Sequence, residues 1–193
     1  MDPAIYPLHG LFWSAFLVRA LRPRAPASSA VPAGRPARLA PGARLVFVLH
    51  GFAFGLLYAG MGKAVFSPSA TPRFFALPWV AGALVIVAGA ALFASALWVF
   101  DSWRLLARVD AGHRLCTRGL YGWVRHPIYL ACDLLALGTF LWLPTRMIAL
   151  GTLLMLITGH LRARAEEGVL RATFGEEYRR YEERVKRYLP GLL

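Results

Sequence analysis

FFALPWVAGALVIVAGAALFASALWVF, residues Phe74–Phe100, contains no charged residue. A helix needs about 20 consecutive apolar residues to cross the hydrocarbon core of a bilayer. This stretch exceeds that, and it decides the fold class: an all-α polytopic membrane protein. Composition agrees. The 193 residues are 58% hydrophobic and 17% charged, with mean hydropathy +0.50. Soluble domains lie near 45–50% apolar and about 25% charged.

The excess apolar content comes in blocks, which predict about five transmembrane helices. Reading outward from Phe74–Phe100, which is span three, span two covers Leu45–Met61 and carries His50. Span one covers Ala4–Arg19 and carries His9. Toward the C-terminus, span four covers Pro127–Pro144 with Asp133 inside it, and span five covers Met147–His160. Span five is expected to continue as a helix into water through Arg162 and Arg164 to Glu166 and Glu167. A turn at Leu143-Pro144-Thr145 makes spans four and five a hairpin. His9 and His50 read as core histidines with one hydrogen bond each.

The net charge of +12 invites a nucleic-acid reading, but its placement argues against one. Nineteen of the 22 Lys and Arg residues fall between spans one and two, between spans three and four, or after span five. Only Lys63, Arg73 and Arg146 fall on the other side. The positive-inside rule then puts the N-terminus outside and the C-terminus in the cytoplasm, with extra affinity for anionic membrane lipids. The N-terminus lacks a basic region and a small-residue cleavage site, so no cleavable signal is expected. Arg22–Gly42, rich in Pro, Ala and Arg, reads as a disordered cytoplasmic loop. Cys116 and Cys132 have neither disulfide nor metal-ligand spacing and read as free thiols.

The tail has a different pattern. Leu170, Phe174, Tyr178, Tyr181, Val185 and Tyr188 recur at helical steps and form one stripe, which Gly175 can divide. An amphipathic helical tail is expected on the membrane surface or over the cytoplasmic ends of spans four and five. Its aromatics read as packing, with a site lid as the second possibility.

Polar chemistry concentrates at the entrance of span four, in Arg125-His126-Pro127-Ile128-Tyr129. Proline suits the first helical position because its missing N–H is unneeded there, which makes His126 the N-cap. The free N–H groups and positive dipole end of such a helix favour a carboxylate or phosphate, and Arg125 adds a forked donor. Tyr129 and Asp133 follow His126 at i+3 and i+7, one and two turns deeper on the same face. Asp133 within a span is either functional or paired. The hairpin brings Glu166 and Glu167 toward His126, which makes a polar pocket. No zinc, phosphate-loop or nucleophile-elbow pattern is present, and no metal site is expected.

The run Gly119-Leu120-Tyr121-Gly122-Trp123-Val124-Arg125-His126-Pro127-Ile128-Tyr129 carries a resemblance. It is followed by Glu166-Glu167, by Phe174-Gly175-Glu176-Glu177-Tyr178, and by Tyr181, Arg184-Val185 and Pro190. This order and spacing resembles the isoprenylcysteine carboxyl methyltransferase family and its bacterial and archaeal relatives, over roughly residues 113–190. The family usually has Gly two positions after the motif tyrosine, where this chain has Ala131.

The resemblance implies a single integral-membrane methyltransferase domain over residues 1–193. Residues 1–112 would hold spans one to three and residues 113–193 the cofactor-binding catalytic half. It implies S-adenosyl-L-methionine as methyl donor, held in a cytoplasm-facing pocket by Tyr121, His126, Pro127, Tyr129, Glu166, Tyr178 and Tyr181. Arg125, Glu166 and Glu167 would be catalytic. The acceptor would be a lipophilic or prenylated molecule arriving from the bilayer, an isoprenylcysteine-like or other isoprenoid carboxylate. An ionised carboxylate needs no base, so Arg125 would steer it and Glu166 or Glu167 would hold the donor or orient Arg125. An amine or thiol acceptor must lose a proton, to a glutamate or to His126. The Ala/Arg-rich composition points to a prokaryotic cytoplasmic membrane, which keeps phospholipid amines and small thiols open as acceptors.

Two rivals from other classes remain. Membrane sterol reductases carry a similar Arg-His-Pro-x-Tyr stretch and use NADPH, but usually with Asn and a following Gly-Glu that this chain lacks. A non-catalytic membrane scaffold would not require Arg125, His126, Tyr129 and both glutamates intact.

Overall fold

The computed structural model of the protein describes residues 4–21, 38–39, 42–66, 77–99, 108–109 and 115–188. Six α-helices run through them: α1 Ile5–Leu21, α2 Ala43–Phe66, α3 Leu77–Val99, α4 Pro127–Trp142, α5 Arg146–Phe174 and α6 Glu176–Arg184. Two two-residue strands, β1 Arg38–Leu39 and β2 Arg108–Val109, pair antiparallel. Arg38 and Leu39 thus take ordered pairing inside the segment expected to be a disordered loop. Residues 22–37 and 40–41 of that loop lie outside the described residues, as does Pro190.

α2 and α3 are long and apolar enough to cross a membrane, over Ala43–Ala64 and Pro78–Val99. α1 and α4 are apolar but shorter. α5 is a single helix of 29 residues whose apolar first half runs on without a break into its charged second half. The outer faces carry Leu11, Val18, Leu45, Val48, Leu84, Trp98, Leu150 and Leu153, each more than half exposed. In water such a surface is an aggregation liability. In lipid it is the solvated one.

α3 lies between α1 and α4, and α5 between α4 and α2. The α3–α4 contact is the most intimate, because two glycines face each other. A Cβ on Gly82 would sit 2.7 Å from the Gly138 carbonyl oxygen, and one on Gly138 would sit 2.7 Å from that of Gly82. Without a hydrophobic drive between helices in lipid, such backbone approach supplies the packing energy. Ala131, where the resembling family has Gly, is fully buried in this core with its carbonyl against Gly89. Its extra methyl therefore packs helix on helix.

Neutral polar chains tie the remaining helices. Thr139 donates its hydroxyl to the Leu135 carbonyl at 2.6 Å, so its oxygen accepts from His9 Nε2 at 3.0 Å. His9 Nδ1 then accepts from the Tyr58 hydroxyl at 2.9 Å, and Tyr58 accepts from Trp13 Nε1 at 2.5 Å. Every member is satisfied, with the proton of His9 on Nε2. The one hydrogen bond expected of His9 is two, joining α1, α2 and α4. Thr158 likewise spends its proton on Leu154 and accepts from His50 Nδ1 at 2.9 Å, joining α2 to α5.

These contacts fix the alternation. The C-terminal ends of α1 and α3, the N-terminal ends of α2 and α4, and the charged end of α5 share one end of the bundle. Gly175, at φ 54°, reverses α5 into α6. The tail stripe folds over this end: Leu170, Tyr178, Tyr181 and Val185 are buried with Val169 and Ala43, against Leu115 and Phe174.

Candidate functional site

The site is built where the entrance of α4 meets the charged half of α5. Upstream, a tight turn over Gly119–Gly122 starts at Gly119, whose φ of 58° is open to glycine. Its Cα faces Val99, so the turn is set against the end of α3. His126 is the N-cap of α4 and Pro127 its first residue, as the sequence predicts.

The tail is fastened to this entrance through backbone. Arg125 N–H donates to the Lys186 carbonyl at 2.8 Å and His126 N–H to that of Arg187 at 3.2 Å. The Arg125 guanidinium holds the same two pieces together. Nε and Nη2 donate to Glu167 Oε1 at 3.2 and 2.9 Å, and Nη1 donates to the carbonyls of Glu182 and Val185 at 3.0 and 2.6 Å.

Glu167 is fully buried and is the hub. Besides Arg125 it accepts from Arg187 at 2.9 and 2.7 Å, from Arg171 at 3.4 Å and from His126 Nε2 at 3.2 Å. Burial alone pushes its carboxyl upward. The bonds from Arg187, His126 and Arg125 together outweigh that and hold it well below the usual carboxylate range. Arg171 also grips Glu182 of α6, at 2.7 Å.

Glu166, one residue earlier, is in a different position. It is partly open and accepts from the Tyr129 hydroxyl at 3.0 Å, with His126 Nδ1 at 3.8 Å. The imidazole therefore stands between the two carboxylates. The Tyr129 ring lies 5.5 Å from the His126 ring and 5.1 Å under the Arg162 guanidinium, which also covers Phe47 of α2.

Between these groups and the tail is a cavity of about 30 Å³. It is lined by Tyr121, Arg125, His126, Glu166, Tyr178 and Tyr181, with Leu115, Cys116 and Leu170. Tyr181 donates to the Tyr121 carbonyl at 2.6 Å. The Tyr178 hydroxyl is fully buried without a hydrogen-bond partner. Burial raises the Tyr178 and Tyr181 phenols, so both stay protonated donors at neutral pH. The larger groove, about 440 Å³ between α1 and α3, is lined by apolar residues such as Ala15, Val87, Ala91 and Trp98, none of them from the motif.

Of the residues singled out from sequence, six line the cavity. Tyr129 reaches it through Glu166, Pro127 sets the helix start, and Glu167 stands behind Arg125. Sequence reasoning missed Arg171, Glu182 and Arg187. Arg187 reads as one more positive-inside anchor, and no local pattern marks it as a partner of Glu167. Cys116 and Cys132 form no disulfide.

Residues 77–177 match the family of phospholipid methyltransferases. The chain belongs to that family. The phospholipid methyltransferases fall within the isoprenylcysteine carboxyl methyltransferase-like membrane enzymes, so the resemblance carried by Gly119–Tyr129 holds at family level. Methyltransferase families of this kind normally take the methyl group from S-adenosylmethionine. An uncharacterized protein of Haemophilus influenzae is 36% identical over 63 residues, which is 100% of that protein and 32% of this chain. The match to the phospholipid methyltransferases contains α3, α4, α5 and all the cavity-lining residues except Tyr178 and Tyr181.

Proposed function

We propose that this protein is a membrane-embedded methyltransferase that uses S-adenosylmethionine and methylates a lipophilic acceptor. The observation that carries this reading is the cavity between the α4 entrance, Glu166 and the tail, at the mouth of a bundle with an apolar outer face. Its walls suit the donor. Tyr121, Tyr178 and Tyr181 offer rings for a base, and Glu166 offers a carboxylate for a cation or a ribose. The buried Tyr178 hydroxyl offers a donor without a partner. When bound, the donor supplies an activated methyl group on sulfur.

Five helices, α1 to α5, cross or enter the bilayer in this reading. The charged end faces the cytoplasm and the N-terminus faces outside. Residues 1–193 act as one domain. At about 30 Å³ the cavity holds roughly one water. Admission of a nucleoside-sized donor thus needs the tail beyond Gly175 to move outward and then return. Its return excludes water through Tyr178 and Tyr181.

The two glutamates take different tasks. Glu167 fixes Arg125, His126 and Arg187, and so acts as a positioning residue. Arg125 spends its donors on Glu167 and α6, and closes the pocket wall. Glu166 and His126 present the groups that can touch the reactants. With an ionised carboxylate acceptor, this wall has only to orient. With an amine or thiol acceptor, Glu166 or His126 Nδ1 takes the proton.

The test is incubation of the purified protein with labelled S-adenosylmethionine and a bacterial lipid extract. Label in the organic phase, lost in Glu166→Gln, is expected. No transfer to any lipid, with folded protein, would overturn the reading.

A further inference from the structure

The groove of about 440 Å³ between α1 and α3 is separate from the donor cavity and contains no residue of the Gly119–Tyr129 run. Its floor is the buried pair Ala90 and Leu97. Its walls are Leu11 and Val18 of α1 and Val87 and Trp98 of α3, all exposed. From Leu11 to Arg19 on one helix and from Val87 to Trp98 on the other it runs about 12–17 Å, at 1.5 Å per residue. One leaflet of the hydrocarbon core has the same depth, about 15 Å.

The two ends of the groove differ in chemistry. Toward Leu11 and Val87 it is apolar, and Ser14, midway, spends its proton on the Leu11 carbonyl at 2.7 Å. At the other end, in the last turns of α1 and α3, stand Arg19 and the Trp98 indole. Tryptophan and arginine at a helix end mark the level where hydrocarbon gives way to headgroups. Arg19 is the one charged residue that lines the groove, and neither α1 nor α3 contains an Asp or a Glu.

A leaflet-deep apolar channel with a guanidinium at its headgroup end is the complement of an anionic lipid. The acyl chain meets the floor and walls, and the planar fork of an arginine matches a phosphate. A zwitterionic lipid offers the same chain, but its ammonium is repelled by the arginine. A second copy of the chain meeting this face with its own α1 and α3 would bring no acid to Arg19. We propose that the α1–α3 groove binds one anionic phospholipid, with an acyl chain along Ala90 and Leu97 and its phosphate at Arg19. This lipid is a resident partner of the bundle and not the methyl acceptor. The proposal requires the bundle to lie in a bilayer and is independent of the reaction at the donor cavity.

The probes are phosphatidylglycerol and phosphatidylcholine with identical oleoyl chains, added separately to the full chain in detergent. Native mass spectrometry counts both the lipids retained and the copies of the chain. One phosphatidylglycerol per chain is expected, held about fivefold more tightly than phosphatidylcholine, as one basic residue beside an anionic headgroup implies. Arg19→Gln should erase that difference. Ala91→Trp fills the groove from an exposed position and should weaken retention of both lipids by about tenfold, as displacing a few methylenes implies. Equal affinity for the two lipids in the wild type, or unchanged retention in Ala91→Trp, would overturn the proposal. A wild-type dimer that Ala91→Trp splits, with lipid retention unaltered, would assign the groove to a second copy instead. If Ala91→Trp fails to fold, a preference for phosphatidylglycerol that survives in Arg19→Gln overturns it. S-adenosylhomocysteine binding bears on none of these outcomes, so the methyltransferase reading stands or falls separately.

Discussion

The two halves of α5 are held in opposite ways. In the apolar half, Thr152 and Thr158 meet the Ala136 carbonyl and His50, and the neighbouring His9 chain runs from Trp13 to Leu135 with each atom matched. The groups of these chains are neutral and each has a partner, whereas Asp133 Oδ1 and Trp142 Nε1, outside the chains, have none. In the charged half, Glu167 gathers Arg125, Arg171, Arg187 and His126, while Glu166 and the Tyr178 hydroxyl face a cavity. The neutral chains only join helices. The ionic half also joins elements, but it spends Glu167 on that and leaves Glu166 available for chemistry.

The strongest way to break this contrast is Glu167→Ala. Removing one partner of a buried ionic network leaves the others uncompensated and costs about 3–5 kcal/mol. Thermal unfolding should show this loss, with the tail becoming susceptible to proteolysis first. A stability equal to wild type would mean the hub fastens nothing.

Gly138→Leu attacks the apolar bundle at its tightest point, the α3–α4 contact. The side chain would enter the Gly82 backbone and Ile86, and overpacking of this kind costs about 1–3 kcal/mol. Unfolding should shift by that amount while the tail stays protected from protease.

His9→Phe tests the neutral chain and should cost less. It leaves Tyr58 and Thr139 each without one partner, at about 1 kcal/mol in total, since hydrogen bonds between membrane helices average about 0.6 kcal/mol.

Acid sharpens the contrast further. The Glu167 carboxyl lies below its unfolded value of about 4.3, so its stabilisation is complete above that pH. It is lost as pH falls below about 4.3, because the unfolded chain then takes up the proton first. Unfolding curves from pH 7 to pH 3 should therefore steepen below about 4.3 in wild type, and less so in Glu167→Gln.

The apolar bundle is largely legible in the sequence, because each apolar block becomes a helix. Pro127 marks the start of α4 and Gly175 the end of α5, both through backbone rules that act locally. The tail stripe is legible only in part: it continues across the Gly175 break, but α6 ends at Arg184, so Val185, which is extended, and Tyr188 lie beyond the helix on which their spacing put them. The hub is not. Glu167 meets Arg125 and Arg187 across long separations, and arginines that orient a membrane protein look the same as arginines that fasten a site. The division of labour between Glu166 and Glu167 is also invisible in a Glu-Glu dipeptide, since one residue step on a helix turns a side chain by about 100°. The short β1–β2 pairing has no apolar alternation to announce it.

The central claim is that the pocket beside Glu166 holds the methyl donor while Glu167 holds the protein. The most direct measurement is calorimetric titration of S-adenosylhomocysteine into the wild type and Glu166→Gln in detergent. One molecule should bind per chain. The affinity should fall about tenfold or more in Glu166→Gln at unchanged unfolding temperature, as expected for loss of a charged contact. Equal affinity in the two proteins, or no binding to the folded wild type, would contradict the account.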